Sequence, residues 1–324
     1  MRVNKDHTLG EIKQIPELQE VKDILLINFP VLRDDMTLEE IGESAPRYDT
    51  GSMVMAVNRL LEIKESGLSL NLPMYTPEEI KAVPDKAGAA LTFFPGEQGA
   101  PYVVLCSGGG YVLLTNLTEA FPTAAIMNER GYNVFIVTYR TGQTGLLPKP
   151  QDDLAAAVSY IETHADELGV QKGGYAVGGY SAGGHLAGSW GTEKYGFRKY
   201  GLPAPKALFL CYPGVIMSSL GDGTNEFFCA LQRAVFGEPP MGDRTRYDLN
   251  LLIDGKYPAT YIWHCKDDDE VPYETAVLLN DALEAAGIRH KMDSFEHGGH
   301  GRGAALNSEA ECWIDHALAF WEEK

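Results

Sequence analysis

The sequence predicts a three-layer α/β protein in which helices cover both faces of a mostly parallel β-sheet. From about Ala89 onward, short runs rich in β-branched and aromatic residues alternate with amphipathic stretches of helical periodicity. The runs are almost continuously apolar, which suits strands buried on both sides. With 324 residues, of which 44% are hydrophobic and 22% charged, the chain can bury a substantial core. One large α/β domain with an extension accounts for this length.

Seven segments of this region are predicted strands. In chain order they read ALTFF, YVVLC, YNVFIVTY, YAVGG, ALFLCY, TYIWHC and RHKMDSF. Two of the intervening helices, predicted over residues 152–168 and 273–286, are followed by Gly169 and Gly287, which can adopt the left-handed conformation that ends a helix. A last amphipathic helix is predicted over residues 307–321.

Residues 1–80 have a different pattern, and we predict a helical extension without strands, followed by the main domain over residues 81–324. Capping-box patterns start at Thr37 and Thr76, and a further helix is predicted over residues 53–66. The extension is either a structural arm packed beside the main domain or a lid over the substrate. The arm is the favoured interpretation.

The charge balance argues against nucleic acid and membranes as partners. The chain has 27 basic and 45 acidic side chains, a net charge of -18, so that phosphate backbones and anionic bilayers would be repelled. The first ten residues lack the apolar core of a signal peptide, and no stretch is long enough to span a bilayer. We expect a cytoplasmic protein, and the sequence leaves open whether it forms a homo-oligomer.

The cysteine and histidine spacings favour neither a disulfide framework nor a metal site. The five cysteines are scattered and show no CxxC spacing, which predicts reduced and mostly buried thiols. No HExxH pattern is present. We therefore expect no metal and no organic cofactor.

Residues 179–183 read Gly-Tyr-Ser-Ala-Gly, a GxSxG pattern between a predicted strand and a predicted helix. A sharp strand-to-helix turn exposes the serine at the helix N-terminus, where the backbone dipole favours negative charge, and the glycines let neighbouring backbone approach. Glycine-rich turns of this kind also cradle phosphates, but neither GxGxxG nor a P-loop lysine occurs here. Ser181 is therefore the predicted nucleophile.

A second glycine run follows the strand YVVLC, where residues 107–111 read Ser-Gly-Gly-Gly-Tyr. Such a run exposes backbone N–H groups, and donors of this kind stabilise the oxyanion of a tetrahedral intermediate in acyl transfer. The predicted oxyanion donors are Gly109, Gly110 and, directly after the nucleophile, Ala182.

Five motifs occur in a characteristic order: SGGGY, the pair Tyr139 and Arg140, GYSAGGH, DDDEVP and HGGHG. Together they resemble the HGGG-type esterases and lipases of the α/β-hydrolase superfamily, including hormone-sensitive-lipase-like and acetylxylan-esterase-like members. The resemblance covers residues 89–324 and implies the α/β-hydrolase fold. A histidine usually precedes the three glycines in that family, whereas Ser107 stands here. This departure leaves open how the loop is braced and which subfamily applies.

The resemblance also implies an acid and a base for the nucleophile. The family places an aspartate three residues before the Val-Pro pair, which selects Asp268 and leaves Asp267 and Asp269 as solvated loop neighbours. His300 matches the family's histidine, and His297, nearer to the preceding strand, is the competitor. In this arrangement the histidine acts as general base and the aspartate holds its tautomer.

Other candidates carry weaker signals. His185, four residues after Ser181, and His264, at a strand end, are interpreted as hydrogen-bonded framework residues. Between residues 217 and 254, near where the resembled family forms its pocket, we expect most of the apolar side chains to belong to the core and one or two to reach the pocket. These side chains are Phe227, Phe228, Leu231, Val235 and Phe236.

The leading functional hypothesis is hydrolysis of carboxylic esters with a small acyl group. A serine peptidase with the same chemistry is the first alternative, and the short N-terminal segment counts against it. The second alternative is a hydrolase-like protein that binds a small ligand without turnover, although no residue of the predicted Ser-Asp-His set is missing.

Overall fold

The computed structural model describes residues 2–219, 226–238 and 242–323. Its sheet has eight strands, which are β1 (Asn71–Leu72), β2 (Ala90–Phe94), β3 (Ala100–Cys106), β4 (Asn133–Thr138), β5 (Val170–Tyr180), β6 (Ala207–Cys211), β7 (Thr260–Cys265) and β8 (His290–Phe295). The α-helices in the described residues are α1 (Leu9–Gln14), α2 (Leu38–Ser44), α3 (Thr50–Glu65), α4 (Pro77–Ala82), α5 (Ala120–Glu129), α6 (Lys149–Thr163), α7 (Ala165–Leu168), α8 (Ser181–Gly191), α9 (Phe197–Tyr200), α10 (Glu226–Phe236), α11 (Tyr273–Ala285) and α12 (Trp313–Glu322).

The strand order across the sheet is β1-β2-β4-β3-β5-β6-β7-β8. Strands β3 to β8 pair in parallel, whereas β2 runs antiparallel to β4 and β1 antiparallel to β2. The predicted fold, a mostly parallel sheet with helices on both faces, is confirmed. All seven predicted strands are present.

Alternating side chains of the strands divide the interior into two cores. In β4, Val134 and Ile136 face one core, and Phe135 and Val137 face the other. The first core contains α5, α12 and the apolar residues of α1 to α3, and the second contains α6, α8 and α11. The N-terminal segment therefore shares a continuous core with one face of the sheet.

The N-terminal segment also contributes β1, although we expected no strand there. Asn71 pairs with Thr92 and Leu72 with Leu91, so β1 extends the sheet at its antiparallel edge. A strand of two residues has no alternation that a sequence pattern would reveal.

Two of the predicted helices differ from the structure by more than three residues. The helix predicted over residues 152–168 is two helices, α6 and α7, and the last helix begins at Trp313 rather than near Asn307. Ala305 and Asn307 both have φ of 58°, a left-handed conformation that a right-handed helix cannot include. Among the described residues, no helix is long and apolar enough to cross a membrane.

Candidate active site

Ser181 lies at the junction of β5 and α8, in a strained backbone conformation with φ of 52°. The turn is so tight that a Cβ atom on Gly179 would lie 2.1 Å from the carbonyl oxygen of Gly183. A Cβ atom on Gly183 would lie 2.1 Å from the carbonyl oxygen of Cys106, at the end of β3. Both glycines of the GxSxG pattern are therefore required by close backbone approach.

A chain of two hydrogen bonds joins Ser181 to the histidine and aspartate selected from the sequence. His300 Nε2 lies 2.8 Å from Ser181 Oγ, and His300 Nδ1 lies 2.7 Å from Asp268 Oδ2. Asp268 follows β7, and His300 lies in the loop after β8. The parallel neighbours β7 and β8 thus bring together residues that are far apart in sequence.

Asp268 is held as an anion by its surroundings. Its Oδ1 accepts the backbone N–H groups of Glu270, at 3.0 Å, and Val271, at 2.8 Å. Burial alone would raise the pKa of Asp268, but hydrogen bonds from His264 and His300 outweigh it and hold that pKa well below its usual range.

The neighbouring carboxylate raises the proton affinity of His300. Burial acts to lower the pKa of His300, and the hydrogen bond and negative charge of Asp268 raise it by more. An imidazole in this setting can accept a proton from Ser181 and remain stabilised as the cation.

The competing residues of the two loops occupy other positions. The His297 side chain is 78% exposed, and its Nδ1 lies 3.6 Å from Asp267 Oδ2. The imidazole that contacts Ser181 is that of His300. Asp269 is exposed. Asp267 is not only a solvated neighbour, because its carboxylate accepts the N–H groups of Gly298, at 3.2 Å, and Gly299, at 2.8 Å. It anchors the loop that carries His300.

The two other histidines have framework contacts. His185 is buried, with Nδ1 2.6 Å from the Tyr111 hydroxyl and Nε2 2.8 Å from the Tyr247 carbonyl oxygen. His264 Nε2 lies 2.9 Å from Asp268 Oδ2 and 3.0 Å from the Val271 carbonyl oxygen. His264 therefore steadies the aspartate and has no contact with the serine. In the described part of the chain, no group of three or more His, Cys, Asp or Glu side chains is placed to hold a metal ion.

Gly109, Gly110 and Ala182, the predicted oxyanion donors, line the same cavity as Ser181 and His300. Gly109 and Gly110 have φ of 125° and 61°, which points to a glycine-specific loop. No acceptor within residues 2–219, 226–238 and 242–323 takes the backbone N–H of any of the three. These donors are thus available to a ligand in the cavity.

The sequence did not reveal what holds the glycine loop. The Ser107 hydroxyl is buried and has no hydrogen-bond partner among the described residues, so this side chain does not replace the family's usual histidine. Instead, the buried Glu119 carboxylate accepts the Gly108 N–H at 2.6 Å, and the Tyr139 hydroxyl donates to the Ser107 carbonyl oxygen at 2.7 Å. In the sequence, only its position directly before the apolar helix α5 distinguishes Glu119 from other acidic residues.

The cavity above Ser181 has a volume of about 380 Å³ and a largely apolar wall. Helix α10 contributes Phe227, Phe228 and Leu231, whereas Val235 and Phe236 belong to the core. Three of the five candidates of this segment therefore reach the cavity, more than the one or two expected.

The N-terminal segment forms part of the cavity wall, with Phe29, Pro30, Val31, Arg47 and Tyr48. Arg47 forms an ion pair with Glu270, two residues after Asp268. The segment is therefore both packed on the main domain and in contact with the site. The two roles that the sequence analysis set against each other, arm and substrate cover, are not exclusive.

The fold and the serine turn define the class of this protein: the chain has the α/β-hydrolase fold. Residues 94–198 match the family model named BD-FAE. The matched region begins in β2 and includes the glycine loop and the serine turn.

Known proteins with similar sequence or structure include hydrolases. Endo-1,4-beta-xylanase B of Butyrivibrio fibrisolvens is 24% identical over 221 residues, which is 65% of this chain but only 34% of the xylanase. The acetyl ester-xyloside bifunctional hydrolase of Caldicellulosiruptor lactoaceticus superposes with a TM-score of 0.66 at 24% identity, over 78% of this chain and 95% of that one. For the carboxylesterase Cest-2923 of Lactobacillus plantarum the TM-score is 0.61 at 22% identity, over 72% and 90% of the two chains. The structural matches establish the fold.

Proposed function

We propose that the protein is a serine-dependent carboxylic ester hydrolase that acts on small acyl groups through an acyl-enzyme intermediate. The observation that carries the proposal is the hydrogen-bonded chain from Ser181 through His300 to Asp268, which faces a cavity lined by Gly109, Gly110 and Ala182. A nucleophile, a base with its orienting carboxylate and backbone donors meet at one point, as acyl transfer requires.

In the acylation step, Ser181 Oγ attacks the ester carbonyl carbon while His300 Nε2 takes its proton. The carbonyl oxygen becomes an oxyanion that accepts hydrogen bonds from the donors at Gly109, Gly110 and Ala182. The carbon–oxygen bond to the alcohol then breaks, and His300 returns the proton to the departing alkoxide oxygen. Asp268 stabilises the imidazolium while it exists.

In the deacylation step, water replaces the alcohol. His300 removes a proton from the water, whose oxygen attacks the acyl carbon, and the same donors hold the second oxyanion. The bond to Ser181 Oγ breaks, the serine recovers its proton from His300, and the carboxylic acid leaves.

The preference for small acyl groups rests on the space beside the oxyanion donors. The Phe227 ring lies against Gly110, so closely that a Cβ atom on this glycine would be 2.7 Å from the ring. The cavity volume of about 380 Å³ is near the lower end of the roughly 300–1,000 Å³ common for ligand pockets. The acetyl ester-xyloside bifunctional hydrolase among the structural matches is named for an acetyl ester, which supports a small acyl group.

A comparison of 4-nitrophenyl acetate, butyrate and octanoate with wild type and Ser181→Ala tests the proposal. We expect turnover to fall with chain length in the wild type and to be lost in Ser181→Ala. Ser159→Ala, the same change on the exposed side of α6, is the control and should keep full activity.

Other outcomes identify the alternatives. Activity that persists in Ser181→Ala would remove the serine from the mechanism. A preference for octanoate would refute the small acyl group. No turnover of any ester by folded wild type, with cleavage of short peptides, would favour the peptidase.

A cytoplasmic location is part of the same proposal. Cys106, Cys211, Cys265 and Cys312 are free thiols, and the first three of them are buried. Free thiols are typical of a reducing compartment. Recovery of the native protein in the membrane or secreted fraction of its own cells would contradict this location.

A further inference from the structure

A buried carboxylate, Glu119, lies between the glycine loop and the loop that carries His300. Glu119 is only 4% exposed, although it contributes to the cavity wall beside Ser181. A Cβ atom on Gly108 would lie 3.0 Å from Glu119 Oε2 and 3.1 Å from Ser181 Cβ, so carboxylate and nucleophile flank the same glycine.

On the side of the glycine loop, Glu119 Oε2 accepts the Gly108 N–H at 2.6 Å and the Thr115 hydroxyl. Gly108 directly precedes the predicted donors Gly109 and Gly110. The Gly108 N–H belongs to the peptide unit that enters the donor segment, so this hydrogen bond fixes one end of that segment. The Ser107 hydroxyl does not share this task, since it has no partner among the described residues.

On the side of the histidine loop, Glu119 Oε1 accepts the Tyr212 hydroxyl at 2.9 Å. The oxygen of that hydroxyl in turn accepts the Gly303 N–H at 2.8 Å. The Tyr212 ring also packs edge-on against the His300 imidazole, with 4.9 Å between ring centroids. The Glu119 carboxylate is therefore hydrogen-bonded directly to the glycine loop and, through Tyr212, to the loop that carries His300.

We propose that Glu119 is a positioning residue that sets the oxyanion donors of the glycine loop in register with His300 on the opposite loop. The inference rests on the proposed function and deepens it. Glu119 does not touch the reacting atoms. It acts through Gly108 on one side and through Tyr212 and Gly303 on the other.

The charge of Glu119 provides a readout that a purely structural contact would lack. The charged groups that face His300 are Asp268, Glu270 and Glu119, with Arg47 paired to Glu270 at the cavity rim. Each of the three carboxylates raises the pKa of His300. Neutralising Glu119 should therefore lower that pKa and move the acid limb of kcat/KM to lower pH.

The test compares Glu119→Gln with Glu162→Gln. Glu162 is a matched control because it is also buried and also accepts a tyrosine hydroxyl, that of Tyr102 at 2.6 Å, and a backbone N–H, that of Gly173 at 2.9 Å. With 4-nitrophenyl acetate, Glu119→Gln should lower kcat by about 10- to 100-fold, less than the loss of a whole oxyanion donor, with little change in KM. Its acid limb should move to lower pH. Glu162→Gln should match wild type in both respects.

Tyr212→Phe tests the same connection if Glu119→Gln fails to fold. This variant keeps the ring against His300 and removes only the hydroxyl that joins Glu119 to Gly303. We expect roughly a tenfold loss in kcat. A folded Glu119→Gln or Tyr212→Phe protein with wild-type kcat and an unchanged acid limb would overturn the inference.

The rate of Ser181 modification by diethyl 4-nitrophenyl phosphate separates this inference from the proposed function. Ser181 Oγ bonds to phosphorus, 4-nitrophenolate leaves and the serine proton passes to His300, so the rate depends on both loops but needs no ester turnover. Wild type that reacts with this probe but turns over no ester would refute the esterase proposal alone. Equal modification rates in wild type, Glu119→Gln and Tyr212→Phe would refute the positioning role alone.

Discussion

The protein should lose stability as the pH falls from about 6.5 to about 4, because His185 binds a proton in the unfolded chain but not in the folded protein. His185 Nε2 lies 2.8 Å from the Tyr247 carbonyl oxygen and must carry the proton, so Nδ1 accepts the Tyr111 hydroxyl. Burial lowers the pKa of His185 to about 4, from 6.5 for a free imidazole. Between these values the unfolded chain binds a proton that the folded protein does not.

The direction and size of the effect follow from this difference. Above pH 6.5, His185 is neutral in both the folded and the unfolded state, and its contribution to stability is fully present. This contribution is lost as the pH falls toward 4. At about 1.4 kcal/mol per pKa unit, the total loss is about 3 kcal/mol. Roughly 1 kcal/mol of this is lost by about pH 5.5. The loss matters for activity because Tyr111 directly follows the predicted donor Gly110.

Urea unfolding followed by tryptophan fluorescence measures this loss at about pH 7.5 and about pH 5.5, both above the sequence pI of 4.8. From about pH 7.5 to about pH 5.5, the free energy of unfolding should fall by roughly 1 kcal/mol more in wild type than in His185→Gln. Leu186→Ala, a change at the next buried position of α8, should be less stable throughout but lose as much as wild type. Equal losses in wild type and His185→Gln would refute the reasoning.

Two further predictions concern the proposed reaction. Asp268→Asn should lower kcat by about 10⁴-fold, because the imidazole loses its orienting anion, and should move the acid limb of kcat/KM to lower pH, because Asp268 raises the pKa of His300. Asp269→Asn, a change in the exposed neighbour, should leave the pH profile unaltered, and the reverse result would reassign the acid. Phe227→Ala should raise the octanoate-to-acetate ratio of kcat/KM by about tenfold or more, because it opens the wall beside Gly110. Phe236→Ala should destabilise the core by about 3–5 kcal/mol without changing that ratio, and a change in its ratio would refute the assignment of the wall.

The sequence was most informative where the physical requirement is local. Nearly continuous apolar runs separated by helical periods predicted every strand from β2 to β8, because burial on both faces leaves this pattern along the chain. The serine turn was equally readable, since β5, Ser181 and α8 are contiguous and both glycines are needed within five residues. The two-residue strand β1 was missed because it carries no periodic signal.

Asp268 and His300 were selected through the family resemblance, because three aspartates and two histidines compete within a few residues. The tertiary structure separates them by contact: Asp268 is bonded to His300, whereas Asp267 holds the backbone of Gly298 and Gly299. Asp267 and Asp268 are adjacent residues of the same type, so a sequence pattern cannot separate them. They differ in the direction in which each side chain points after folding.

Other parts of the site depended on the tertiary structure alone. Glu119 bonds to Tyr212, 93 residues away, and Phe29 reaches the cavity from a segment outside the predicted main domain. Such contacts arise when the parallel strands bring their carboxyl ends together and the N-terminal segment packs across them. The sequence by itself determined the layers and the nucleophile turn, because those are properties of adjacent residues. The brace of the glycine loop and the walls of the cavity are properties of residues that meet only after folding.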